Sequence, residues 1–138
     1  MTDGTAGTPL ARKIGVKEGQ RVALVHAPAR WAIPALPAGV TVHRRTDRPP
    51  FDVIVAFFRQ LQEVRDEVAD LASGLTPDGG LWTAWPRRAA GHQSDITDNG
   101  IRSLVLPLGL VDVKVAALGD DWSGLKLVWR KETRSRLR

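Results

Sequence analysis

Six arginines stand just beyond four apolar runs of this chain, and they are the chemistry it offers first. Arg30 follows RVALVHA (21–27), Arg44 and Arg45 close VTVHR (40–44), Arg59 follows FDVIVAFF (51–58), and Arg87 and Arg88 follow GLWTAW (80–85). No carboxylate stands on these ends until Asp47. A guanidinium presents a planar fork of donors that matches a phosphate or carboxylate bidentately, so several together make a rim for an anion. A helix beginning at Ser94 to Ile96 would add backbone N–H groups to the same anion. The residues expected to bound such a ligand are His26, Arg30, Trp31, Arg59, Trp85, Arg87 and Ser94. The competing reading is that arginine is common on exposed loops and that this composition favours it over lysine throughout.

Catalytic chemistry is harder to find. His26 ends an apolar run, yet no serine or carboxylate is spaced in sequence to form a relay with it, so a hydrogen-bonded structural histidine is the expected reading and no catalytic set is nominated. The chain has no cysteine, which removes disulfides and thiolate chemistry, and His26, His43 and His92 lack metal-ligand spacing, so no metal is expected. Trp82 alternates with Ala84 and is expected against a helix layer. Trp85 either lines a pocket or closes the core, and Trp31 among prolines either caps the pocket mouth or anchors a loop. Trp122 in DDWSG is expected to anchor a hairpin, with Asp120 and Asp121 as turn formers.

The elements that must position these residues follow from periodicity. Thr8 is placed to cap a short helix with Pro9 at its first position, ended by Gly15. The nearly continuous run 21–27 is the pattern of a strand buried on both faces. Pro28, Pro34 and Pro37 forbid a long helix before the second strand at 40–44. Residues 51–58 are β-branched and aromatic, a central strand. Leu61, Val64, Val68, Leu71 and Leu75 recur at three- and four-residue steps, giving a helix over 60–75 with Glu63, Arg65, Asp66 and Asp70 on its wet side. A fourth strand covers 80–85. Ser94 or Asp95 then caps a helix that Pro107 ends, and strands at 111–118 and 125–130 are joined tightly enough to form an antiparallel hairpin. Helices alternating with apolar strands predict a Rossmann-like α/β fold: a mainly parallel sheet of about six strands, helices on its faces, and an antiparallel C-terminal hairpin.

Several strings carry a resemblance. IGVKEGQRVALVHA (14–27), FDVIVAFF (51–58), LTPDGGLW (75–82) and the closing hairpin (111–128) resemble, in order, the class I S-adenosylmethionine-dependent methyltransferases. GTPLARK, an AWP strand end and DWSGLK more closely resemble an uncharacterised bacterial group, the domain of unknown function numbered three thousand and fifty-two, which brings no activity with it. The methyltransferase resemblance implies the fold and S-adenosylmethionine, but the turn that would cradle this cofactor reads His26, Ala27, Pro28, Ala29, Arg30, with no glycine, and Pro28 has no N–H. His43, Arg44 and Arg45 stand where an acidic residue would grip the ribose. One strand and helix are missing before residue 51. The expectation is therefore the fold without the cofactor, and no bound cofactor. A minimal methyltransferase is the alternative.

The 138 residues suit one domain, expected over 8–130, with a flexible start at 1–7. Hydrophobic residues at 43% and charged residues at 25% exclude a disordered or fibrous chain. No apolar run approaches the ~20 residues that cross a bilayer, and residues 1–8 do not read as a signal peptide, so a cytoplasmic protein with no membrane partner is expected. Net charge is +5, concentrated in 130–138, where five cations face one carboxylate. That segment reads as a basic flexible tail (131–138), solubilising first and a nucleic-acid contact second. A partner protein or a homodimer covering the sheet edge is the remaining expectation.

Overall fold

The computed structural model describes residues 8–138; the segment 1–7, expected to be flexible, lies outside the described residues. Helix α1 (Leu10–Ile14) leads to strand β1 (Arg21–Val25), β2 (Thr41–His43), β3 (Phe51–Phe57), helix α2 (Leu61–Ser73), β4 (Leu75–Pro86), helix α3 (Asp98–Val105), β5 (Leu110–Ala117), β6 (Trp122–Trp129) and helix α4 (Lys131–Leu137). The six strands form one sheet in the order β2-β1-β3-β4-β6-β5. β2, β1, β3 and β4 are parallel, whereas β6 runs antiparallel to both β4 and β5. The Rossmann-like α/β sheet with a closing antiparallel hairpin is therefore what the chain builds.

Side chains alternate between two cores, as the two-residue period of a strand requires. Ala23, Ile54, Leu81, Trp85, Leu125 and Leu127 face the layer made by α2 and α3, packing on Val64, Val68, Ile101 and Val105. Val22, Leu24, Val53, Val55, Phe57 and Trp82 face the other way, onto α1, Ile33 and Leu118. Among the described residues this second face is covered by one short helix and by the proline-punctuated segment 27–40, since those prolines prevent a covering helix. The fully buried Trp82 secures that thin layer by donating its indole N–H to the Ile14 carbonyl at 2.9 Å.

Several expected boundaries shift, each for a local reason. β1 stops at Val25 because His26 takes φ +57°, which breaks the extended backbone. Pro9, not Thr8, occupies the N-cap of α1. β4 begins at Leu75, paired to Phe51 ahead of a bulge, so LTPDGG is strand and not turn. Neither Ser94 nor Asp95 caps α3: Thr97 accepts from Gly100 N–H, while the Asp95 carboxylate accepts from Leu61 N–H at the start of α2. Residues 131–138 are not a flexible tail over their length. They carry α4, whose Arg134 and Arg138 pair with Asp78 of β4 and whose Thr133 sits over Gly109. Tertiary pairing overrides a sequence that is polar all round.

Gly124 of β6 shows how tightly the second core is packed. A Cβ there would lie 2.6 Å from Leu118 Cδ1 and 2.9 Å from Trp82 Cε3. Gly124→Ala is expected to destabilise the fold by about 1–3 kcal/mol, the range for overpacking a filled core. Urea unfolding checks this, with a lower midpoint and unchanged slope expected; an unaltered midpoint contradicts the packing.

Candidate functional site

Strand order reverses between β1 and β3, because β2 lies outside β1 on one side and β3, β4 lie on the other. Ligands of open α/β sheets enter at such a point, beyond the carboxyl ends of the strands. Here the end of β1 supplies His26 and Pro28, the end of β3 supplies Phe57 and Arg59, the first turns of α2 supply Glu63 and Glu67, and β6 supplies Trp122. Together they line a depression of about 330 Å³. A second hollow of about 560 Å³ adjoins it through Arg59 and is lined further by Gln60, Pro86, Gln93, Ser94 and Asp95.

His26 is held in the left-handed backbone region at φ +57°, which costs a non-glycine residue roughly 1–2 kcal/mol. The strain coincides with a partner that sequence spacing did not reveal. His26 Nε2 lies 2.8 Å from Glu67 Oε1, 41 residues away, and its ring meets Phe58 edge-on. Glu63 is also engaged: its Oε1 accepts from the N–H groups of Arg59 (2.6 Å) and Gln60 (3.0 Å), closing the N-terminus of α2. Both carboxylates of the depression are thus committed to protein donors.

Arg59 is not committed in this way. Its guanidinium lies 5.5 Å over the Trp122 ring and makes no ion pair or hydrogen bond among the described residues. Its backbone is fixed at both ends, the N–H by Glu63 and the carbonyl by Ser94 Oγ at 3.0 Å. A cation placed on an aromatic face, with its main chain pinned and its donors unspent, is pre-set for an anion.

Trp31 closes the crevice from the loop side. Its ring meets Phe57 edge-on at 4.8 Å, Phe57 meets Trp122 at 4.9 Å, and the Trp31 indole N–H donates to the Leu118 carbonyl at 2.9 Å. Of its two expected roles, the loop anchor is the one formed. Trp85 is buried against α2 and α3 and closes that core; it does not line either hollow. Arg30 is exposed without a hydrogen bond among the described residues. Arg87 ties its loop to the hairpin turn, donating from its backbone to Asp121 O and from its side chain to Asp120 O. The structure therefore gathers His26, Arg59 and Ser94 around adjoining hollows, sets Trp31 behind them, and leaves Arg30, Trp85 and Arg87 elsewhere. Glu63, Glu67 and Phe57 are the lining residues that sequence reasoning did not nominate. The four-residue step from Glu63 to Glu67, on the turn facing β1, was the available signal.

Comparison with known proteins agrees with this architecture. The model of a family described as "Protein of unknown function (DUF3052)" matches residues 38–131. No curated protein matches. Among solved structures, the ribosomal protein L11 methylase of Lactobacillus delbrueckii subsp. bulgaricus superposes with a TM-score of 0.55 at 13% identity, covering 88% of this chain and 75% of that one. A putative methyltransferase of Thermoplasma acidophilum gives 0.55 at 10%, covering 91% and 76%. The magnesium protoporphyrin IX methyltransferase of Synechocystis PCC 6803, solved with SAM bound, gives 0.55 at 9%, covering 87% and 74%. At these identities the likeness establishes a methyltransferase-like fold.

Removing the Trp31 ring should loosen the loop from both Phe57 and Leu118. Trp31→Ala is expected to cost about 2 kcal/mol, below the range for a fully buried indole because the side chain is only partly buried, while Trp31→Phe costs about 1 kcal/mol for the lost hydrogen bond alone. Equal stability of wild type and Trp31→Ala in urea titration would contradict the anchoring.

Proposed function

We propose that this chain, which belongs to the DUF3052 family, is a non-catalytic methyltransferase-like domain that holds the anionic group of a small molecule on Arg59. The observation that carries this reading is the unspent Arg59 guanidinium over Trp122, at the switch point of the sheet. The neighbouring carboxylates are engaged elsewhere, Glu63 accepting from Arg59 N–H and Gln60 N–H and Glu67 from His26, and neither ion-pairs with the guanidinium. Ser94 and the aromatic edge of Phe57 and Trp122 complete a surface suited to a ligand with a planar body and a phosphate or carboxylate.

The same residues argue against S-adenosylmethionine as this ligand. The turn 26–30 contains no glycine, so side chains stand where a cofactor backbone cradle would require close approach. His26 and Glu67 span the mouth, and the Trp31 ring packs on Phe57 behind it. At the end of β2 stand His43, Arg44 and Arg45, with two guanidinium groups where a ribose is gripped by a carboxylate. No methyl-transfer step is assigned to these residues.

Phenyl phosphate is a suitable probe, because it joins one phosphate to one planar ring and carries no nucleoside. Titration followed by tryptophan fluorescence at low ionic strength should show saturable binding, and Arg59→Ala should weaken it about tenfold or more, equivalent to about 1.4 kcal/mol. Absence of saturation, or equal affinity of the variant, would overturn the reading.

A further inference from the structure

The chain has fifteen arginines but only five lysines, and three of the five, Lys17, Lys114 and Lys126, converge on one place, with the backbone of Lys13 beside them. That place is the sheet face under α1, toward the start of β4 and away from Arg59. Lys126 of β6 stands directly opposite Lys114 of β5 on one side and opposite Trp82 of β4 on the other. Like charges directly opposite across an antiparallel pair repel, so this register is one a sheet avoids unless something compensates it. Within the chain, little does. Lys114 Nζ donates to the Lys13 carbonyl at 3.1 Å, and Lys13 Nζ donates to the Ala117 carbonyl at 3.3 Å, but no carboxylate ion-pairs with any of these lysines among the described residues.

Lys126 is seated in a slot that glycines leave open. Its Cε passes 2.7 Å from where a Gly80 Cβ would stand, and its Nζ lies 3.1 Å from the corresponding point at Gly15. The half-buried ammonium makes no hydrogen bond among the described residues. Burial first, then the charges of Lys114 and Lys17, hold it below the ordinary lysine value. The other charged groups nearby in sequence are Arg12 on α1 and Glu18 after Lys17, both exposed and neither ion-paired with the cluster.

We propose that this lysine cluster is a second ligand site, taking a compact polyanion that carries two or more phosphate-type charges between Lys126, Lys114 and Lys17. The ammonium groups of Lys114 and Lys17 around the half-buried Lys126 head are too concentrated for an extended backbone track. They also stand without the aromatic platforms on which the bases of a single strand stack. Such an anion supplies the missing counter-charge, and its binding returns the Lys126 proton affinity toward the ordinary value. This site is independent of the reading given to Arg59.

Pyrophosphate, added to the full chain at low ionic strength, is the probe, with Tm as the first measurement. Wild type should gain stability on addition. Lys126→Met, which keeps the stem and removes the crowded charge, should start at a higher Tm than wild type and lose most of the pyrophosphate increment. The exposed Lys114→Gln should lose at least half of it. Lys131→Met removes the same formal charge outside the cluster and should keep the full increment. In side-chain amine NMR the Lys126 pKa should rise when pyrophosphate is present. The proposal falls if Lys131→Met and Lys126→Met lose equal increments, if pyrophosphate leaves the wild-type Tm unchanged, or if short single-stranded DNA binds and pyrophosphate does not displace it.

Discussion

The indole of Trp31 is fastened twice, by its ring to Phe57 and by its N–H to the Leu118 carbonyl, and the character of the site follows from that attachment. The contact draws the segment after β1 across the sheet and ties it to the turn between β5 and β6, 87 residues away in sequence. It stands in for a covering helix where Pro28, Pro34 and Pro37 forbid one. In doing so it places an aromatic wall behind the switch point, and the depression in front is lined by His26, Arg59 and Trp122. A methyltransferase-like sheet is thus backed at its switch point by its own loop.

Of the six arginines that suggested an anion rim, three act as staples, donating to backbone carbonyls that loops would otherwise leave to water: Arg44 reaches Trp31, Arg87 reaches Asp120 and Arg88 reaches Ser94. Arg21 of β1 does the same with Pro50 and Arg48. A guanidinium suits this because its several donors point in fixed directions. Arg59 differs, because its own loop is already secured by Glu63 and Ser94 and its side chain is left to the Trp122 face. The lysines are treated differently again: flexible stems gather around one glycine-lined slot.

How much of this was legible depended on range. Strands such as FDVIVAFF and the helix over Leu61, Val64, Val68 and Leu71 declare themselves by local period, and the turn chemistry of GDD marks the hairpin. The site does not. The approach of His26 to Glu67 depends on α2 folding back over β1, and the pairing of Lys114 with Lys126 depends on a bulge after Asp112 that sets the register. Trp85 and Trp82 are three residues apart and so fall on opposite faces, which decides that Trp85 belongs to the α2 and α3 core. The composition of 131–137 lacks an apolar stripe and so reads as a tail; what orders the helix is Asp78, more than fifty residues earlier.

We propose that the crevice does not admit a nucleoside-sized cofactor such as S-adenosylmethionine. Calorimetric titration of the wild-type chain with S-adenosylmethionine tests it most directly. The account predicts no binding heat up to millimolar cofactor, about −4 kcal/mol of affinity or weaker. A saturable micromolar isotherm would contradict it, whatever the behaviour of Arg59.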